Sequence, residues 1–184
     1  MKTSAEVEFK AFVVSRWPRM LRTARLLTGN HHDAEDLVQA ALAKAYVKWE
    51  RVRRADDMDA YVWRIMINAN ADRLRLIRVR EWLTSGFPEA EAPDRTDCIA
   101  ERSALTEVLQ ELPPRQRAVV VLRYLEDRSE TEVARMLGTR VGTVRSHTAR
   151  ALRRLREQLS VTEAWAGLPP ARTGVGPAPR EARP

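Results

Sequence analysis

The chain has 184 residues, 44% of them hydrophobic and 31% charged, with a formal net charge of +7 and one cysteine. That length suits one ordinary domain or two small ones. The lone Cys98 excludes an intrachain disulfide and fits a reducing compartment, while the basic balance is compatible with a polyanionic partner. Glycine is scarce, Ala, Leu and Arg are abundant, and no stretch alternates strand-forming residues, so an all-α fold is expected. The opening MKTSAEVEFKAFVVSRWPRM has only AFVV as an apolar run, too short for a secretion signal, and no segment is long enough to cross a bilayer. A cytoplasmic protein with no membrane insertion is the expectation.

Residues 6–28 read as a helix with Phe9, Val13, Trp17, Leu21, Ala24 and Leu27 roughly along one side, and Pro18 predicts a kink or restart near Trp17. Gly29 suits a helix end, and acids at 33, 35 and 36 favour the positive end of the helix that follows. That helix, Asp33 to about Trp49, shows an apolar stripe of Leu37, Val38, Ala41, Leu42, Ala45, Tyr46 and Trp49, with Asp36, Gln39, Ala40, Ala43 and Lys44 off it. ERVRRADDMD is a polar connection, and Asp59 is placed to cap a third helix. The third helix begins AYVWRIMINANADRL, apolar nearly all round as in a central bundle helix. It then turns basic, with Arg73, Arg75, Arg78 and Arg80 in eight residues that hold no acid.

TSGFPEAEAPDRTDC reads as a linker, and Thr84 to Glu107 carries six acids against two arginines. Helix resumes near Ile99, stops at Leu112–Pro114, and starts again in RQRAVVVLRYLED. Ser129 and Glu132 form a capping-box pattern ahead of a short helix that Gly138 terminates. The final helix, GTVRSHTARALRRLRE, has five arginines against one acid, and Val144, Thr148, Leu152, Leu155 and Leu159 share one face. From Val161 onward the chain is rich in Pro, Ala, Gly and Arg and is expected to be disordered.

Ser129 to Leu159 has the layout of a helix-turn-helix. A capped helix with Val133, Ala134 and Leu137 inward is followed by a tight turn, then a longer helix whose inner face is Val141, Val144, Thr148 and Leu152. The free face of that helix offers Thr143, Arg145, Ser146, His147 and Arg150, side chains that bond phosphates or base edges. The plain alternative is a basic hairpin packed only within its own domain. Arg153, Arg154 and Arg156 suit the helix macrodipole equally well. His147 has only His31 and His32 as companions, remote in sequence, so neither a metal nor another cofactor is expected. Asp33, Glu35 and Asp36 lack a His, Cys or metal set to serve acid–base chemistry, so no enzymatic activity is expected.

LPPRQRAVVVLRYLEDRSETEVARMLGTRVGTVRSHTARALRRLRE resembles region 4 of an extracytoplasmic-function (ECF, group 4) sigma factor of the sigma-70 family. DAEDLVQAALAKAYVKW followed by AYVWRIMINANADRLR resembles region 2, and RWPRMLRTARLLTG with RAVVVLRYLED resembles actinobacterial members. The resemblance covers about residues 6–159. It implies two small helical domains, a region 2 bundle at 1–83 and a region 4 helix-turn-helix at 99–160, joined by the acidic linker 84–98 and followed by a tail at 161–184.

It further implies core RNA polymerase as partner, through the β′ clamp helices and the β flap, together with promoter DNA and an anti-sigma protein. Asp36, Leu37, Gln39 and Lys44 then fall on the helix that docks on β′, with capping of the helix by Asp36 and solvation of Gln39 as the plain alternatives. The connection Arg51 to Met58, including Arg53, Arg54 and Asp56, and also Asn68 resemble the part that captures an unstacked base of the −10 element. Tyr61 and Trp63 would offer stacking surfaces and Arg73 a phosphate contact, against core packing for the aromatics and a solvated face for the arginine. Thr143, Arg145, Ser146, His147 and Arg150 would read the −35 element. The sequence departs from the family pattern at Asn70, at His147, where arginine is common, and at Arg140, which leaves Thr139 as the expected cap. The rival reading is a LuxR-like regulator with an N-terminal sensing or dimerising domain.

Overall fold

A computed structural model of the chain describes residues 4–84 and 104–159. All regular elements among the described residues are helical: α1 (Ser4–Thr28), α2 (His31–Val47), the short α3 (Trp49–Val52), α4 (Met58–Thr84), α5 (Ala104–Gln110), α6 (Pro114–Val120), α7 (Glu130–Leu137) and α8 (Val141–Leu159). Between α6 and α7 a π-helical turn, Val121–Leu125, continues the α6 axis and closes with the Glu126 amide donating to the Val121 carbonyl. The linker, Cys98 and the tail lie outside the described residues.

α1, α2 and α4 form the first body. α4 is buried nearly all round at its start, through Val62, Trp63, Ile65, Met66, Ile67 and Ala69, as its composition predicts for a central helix. Met20 and Leu27 from α1, Leu37 and Val38 from α2 and Trp49 and Val52 from α3 complete this core. Phe9 and Phe12 set their rings 5.1 and 5.4 Å from that of Trp49. Tyr46, assigned to the apolar stripe, is instead 49% exposed at the edge of the aromatic cluster, its ring 5.0 Å from Phe9.

Several helix ends differ from expectation, each for a local reason. α1 runs through Pro18 without a break. The amide that proline lacks would have bonded the carbonyl of Val14, a residue 77% exposed, where water can serve instead. α2 begins two residues earlier than expected because the Asn30 side chain accepts from the Asp33 amide. Asp59 does not cap α4. Asp57 does, accepting from the Ala60 amide at 2.8 Å, while Asp59 ties α4 to α1 through Arg16 at 2.9 Å. α6 starts at Pro114 itself, whose fixed φ and missing amide suit a first helical position.

The second body, α5 to α8, is built round Leu109, Leu112, Val119, Val121, Leu122, Val133, Val144 and Leu155, all nearly inaccessible. The predicted capping box is present, with Ser129 accepting from the Glu132 amide at 3.2 Å and the Glu132 carboxylate accepting from the Ser129 amide at 2.8 Å. Gly138 adopts φ 60°, a left-handed conformation that glycine takes without a Cβ penalty, and ends α7. α8 starts from the Arg140 carbonyl, which accepts from Val144, so Arg140 rather than Thr139 holds the cap position; the Thr139 amide donates back to Ala134.

The two bodies pack on each other, with one continuous set of buried side chains running through both. α5 and the π turn lie along α1, and α7 lies along α4. The contact is fastened by polar groups. Gln110 donates to the Leu26 carbonyl at 3.0 Å, and Gly29, with φ 92°, brings the α1 end so close that a Cβ there would sit 2.7 Å from the Gln110 side chain. Arg117 is buried and donates to the carbonyls of Leu109, Gln110, Leu112 and, across the contact, Leu27 at 2.6 Å, as well as to the Gln110 side chain. Burial, reinforced by Arg73, pushes its pKa down to about 10, still cationic at neutral pH.

Candidate nucleic-acid and polymerase interface

α2 turns Asp36, Gln39, Ala40, Ala43 and Lys44 to solvent, spaced three and four apart along one face. Asp36 lies 3.7 Å from His32, and Lys44 lies 3.7 Å from Asp72 at the edge of this face. Leu37 does not belong to it: at 2% exposure it is a core residue, because its position on the helix points at α1 and α4. The sequence reading missed Val47, 84% exposed at the end of the same face. Four residues beyond Ala43, it was legible from helical spacing. The two alanines leave a shallow strip between Asp36 and Val47 over which a partner helix can approach closely.

The residues assigned to the −10 element divide into two groups. Arg53 reaches Glu50 at 2.9 Å and Glu8 at 3.3 Å, and Arg54 reaches Glu50 at 3.5 Å, so the connection before α4 is laced by its own acids. Asp56 is exposed beside Asp57, Tyr61 and Arg64, in a cleft closed on its far side by Arg135 and Met136 of α7. The Arg64 guanidinium stands 4.7 Å from the Tyr61 ring centre. Trp63 is 3% exposed and packs in the core under Arg19, so it presents no face to a base; hydrophobic burial of an indole outweighs solvent access on a central helix. Asn68 is exposed. The buried asparagine is Asn70, with its Oδ1 unpaired within the protein. Arg73 is half-buried and pairs with Asp33 at 3.0 Å, whereas Arg75 and Arg78 are exposed.

On α8 the apolar side is Val144, Ala151 and Leu155, with Thr148 and Leu152 at its margin. Arg145, Ser146 and Arg150 face solvent, as the helix-turn-helix reading requires. Arg145 is held by Glu130 of α7 at 2.7 Å, and the Ser146 hydroxyl donates to the Thr143 carbonyl at 2.9 Å. Thr143 and His147 are half-buried. His147 lies against α4, in a cleft shared with Asn68, Asn70, Leu74, Arg115 and Thr139. Burial, then Arg150 and Arg115, hold its imidazole below the ordinary value of 6.5, which leaves it neutral at physiological pH. Thus a residue assigned to the −35 element and one assigned to the −10 element line one cleft, an arrangement that spacing along the chain does not reveal.

No group of three or more potential metal ligands occurs among the described residues, and none of their helices is long and apolar enough to cross a membrane. The arrangement offers arginines, amides and hydroxyls on exposed helical faces, groups suited to grip and read a polyanion.

Comparison with known proteins accounts for both bodies. Residues 12–78 match the sigma-70 region 2 family and residues 102–155 the sigma-70 region 4 family. The region 2 match covers the segment in which a LuxR-like regulator would need a sensing domain. The RNA polymerase sigma-E factor of Streptomyces coelicolor is 43% identical over 83% of this chain and 86% of its own length. The ECF RNA polymerase sigma factor SigM of Mycobacterium tuberculosis is 36% identical over 73% of this chain and 68% of its own. Among solved structures, the sigma factor RpoE of Bartonella quintana, crystallised with the anti-sigma factor NepR, is similar with a TM-score of 0.69 and 26% identity over 84% of this chain and 98% of that one. With both regions matched in order and relatives of this closeness along most of its length, the chain belongs to the sigma-70 family as an ECF sigma factor, a regulatory factor that directs promoter-specific initiation of transcription.

Proposed function

We propose that this chain recruits core RNA polymerase through the outward face of α2 and reads promoters at two places, the −10 element with the start of α4 and the −35 element with α8. The residues we assign to docking are Asp36, Gln39 and Lys44, with Val47 added and Leu37 withdrawn because it is buried. For the −10 element they are Arg53, Arg54, Asp56, Tyr61, Asn68 and Arg73. For the −35 element they are Thr143, Arg145, Ser146, His147 and Arg150. The chain itself makes and breaks no covalent bond, and it works in the cytoplasm.

The observation that carries this reading is α8: one side buries Val144, Ala151 and Leu155, and the other exposes Arg145, Ser146 and Arg150 beyond a capped α7. That is the amphipathic geometry a helix needs to brace on its own domain and enter a major groove. The domain division follows the same logic: 1–83 and 99–160 as working units, with 84–98 as connection and 161–184 as tail. An anti-sigma partner is part of the proposal, supported by the complex of the similar Bartonella quintana sigma factor RpoE with the anti-sigma factor NepR.

The test is co-elution of the purified chain with core RNA polymerase on a sizing column. One-to-one association, lost in Asp36→Arg/Gln39→Ala, is the expected result. Retained association in that double variant would remove the α2 assignment. Transcription by the reconstituted holoenzyme from a panel of −35 variants then tests α8: His147→Ala should change the preferred sequence without weakening association with the core enzyme.

A further inference from the structure

One of the exposed arginines of α8 is held from outside its own helix. Arg145, the fifth residue of α8, has a side chain 71% exposed, and its Nε donates at 2.7 Å to Oε2 of Glu130, the first residue of α7. Fifteen positions separate the two in sequence, and they meet because the fold sets the start of α7 beside the start of α8. Val133 of α7 and Val144 of α8 are wholly inaccessible in the core beneath them, and Gly138 turns the chain between the two helices. The capping box of Ser129 and Glu132 fixes the backbone on either side of Glu130. Arg153 differs: it reaches Glu157 of its own helix at 3.9 Å, and both of those side chains are largely exposed.

An unrestrained arginine samples many orientations and is drawn to any phosphate it meets. A carboxylate on Nε changes both properties. It takes the inner edge of the guanidinium and leaves the outer edge, with an N–H on each terminal nitrogen, which has the spacing to bridge O6 and N7 of a guanine. It also offsets the charge that would otherwise seek a phosphate, so Arg145 adds little to binding that ignores sequence. The helix macrodipole favours an acid in the first turn of α7 as well, but that effect is indifferent to where the carboxylate points. The short bond to Nε, from a Glu130 side chain only 28% exposed, gives the carboxylate a direction.

We propose that Glu130 is a positioning residue for promoter recognition: it aims the outer edge of Arg145 at one guanine of the −35 element and withholds the Arg145 charge from phosphates. The inference rests on the assignment of α8 to the −35 element. Glu130 touches no base and acts through Arg145. Its removal therefore moves two quantities in opposite directions, lowering discrimination at one base pair and raising non-specific affinity. A carboxylate that served only the stability of α7 would instead weaken binding to every −35 sequence alike.

The experiment uses holoenzyme reconstituted from the full chain and core RNA polymerase. A promoter that the parent holoenzyme recovers from a library randomised at −35 is varied one base pair at a time, and competition binding gives the discrimination at each. A promoter-free duplex at several salt concentrations gives the non-specific affinity. Glu130→Ala should lose about 10-fold of discrimination at a single guanine and steepen the salt dependence on the promoter-free duplex by about one phosphate contact. Glu130→Gln still accepts from Nε but carries no charge, so it should keep most of the discrimination and show the steeper salt dependence. Arg145→Ala should lose discrimination at the same base pair, and adding Glu130→Ala to it should change nothing more. Unchanged discrimination in Glu130→Ala beside a loss in Arg145→Ala would overturn the positioning role and leave α8 as the reader. No loss in either variant would count against the α8 assignment itself and take the proposal with it. Equal weakening of Glu130→Ala on every −35 sequence would make Glu130 a stability residue, which also overturns the proposal.

Discussion

The α1–α4 body and the α5–α8 body reach equally buried interiors by different routes. The first uses long helices, 17 residues in α2 and 27 in α4, with large side chains such as Trp49, Trp63 and Met66. The second combines the 19-residue α8 with short helices, α5, α6 and α7 at seven, seven and eight residues, and has aliphatic side chains, Met136 and one buried guanidinium in its core. In a helix of eight residues nearly every backbone group lies near an end, so caps and side-chain bonds to orphaned carbonyls decide whether it forms. A long helix is set by the face it buries. The difference predicts that the first body fails through cavities and the second through lost hydrogen bonds.

The largest effect expected is at Arg117. Arg117→Leu fills much of the volume but leaves the carbonyls of Leu27, Leu109, Gln110 and Leu112 without their donor. Breaking a buried charged network of this kind costs about 3–5 kcal/mol. Urea unfolding of the full chain should show that loss, together with looser attachment of α5 to α1. A loss under 1 kcal/mol would mean that the second body is held by apolar packing like the first.

Met66→Ala makes the matching test in the first body. The side chain is wholly inaccessible, and truncation of such a residue costs about 2–5 kcal/mol through lost transfer energy and the cavity left behind. A smaller effect would show that neighbouring side chains collapse into the space. Ser129→Ala is milder. It removes the acceptor for the Glu132 amide and should cost about 1 kcal/mol. It should also shift the position of Arg128, because Glu132 reaches that guanidinium at 3.3 Å.

The contrast also explains what could be read before the structure was in view. The capping box at Ser129, the left-handed Gly138 and the two faces of α8 were legible because each is a local pattern within one or two turns. The exchange of Asp59 for Asp57 as the cap of α4 was not, since both are acids at a helix start and only the contact with Arg16 separates them. For Trp63 and Leu37 the resemblance pointed to a contact role and the apolar pattern to the core, and both are buried. Resemblance places a residue on an element, but burial depends on which side of the element meets its neighbours, and α4 is surrounded at that level. The packing of the two bodies on each other was least legible. It depends on Glu126, Arg128 and Arg117 finding Arg19, Asp57 and Leu27, all far away in sequence, and a charged residue carries no periodic signal of its partner.

The smallest expected effect is a pH dependence of the contact between the two bodies. His147 faces Arg150 on its own helix and Arg115 on α6, with the amides of Asn68 and Asn70 across the cleft on α4. Burial and the two arginines hold its imidazole below 6.5 while the bodies are packed, and parting them returns it towards that value. The packed form therefore binds fewer protons between the depressed and ordinary values. Its stabilisation by His147 is complete above about 6.5 and is lost as the pH falls through the depressed value. Asp57 shifts in another window. Burial alone would raise its carboxyl, but the Ala60 amide and Arg128 outweigh burial and hold it below 3.8, so it stays ionised throughout mild acid. Small-angle scattering of the free chain between pH 7.5 and 5.5 should thus show a modest expansion that belongs to His147 rather than to the Asp57–Arg128 pair. His147→Gln, which keeps a polar group and removes the proton, should abolish it. Expansion that persists in that variant would place the titrating group elsewhere.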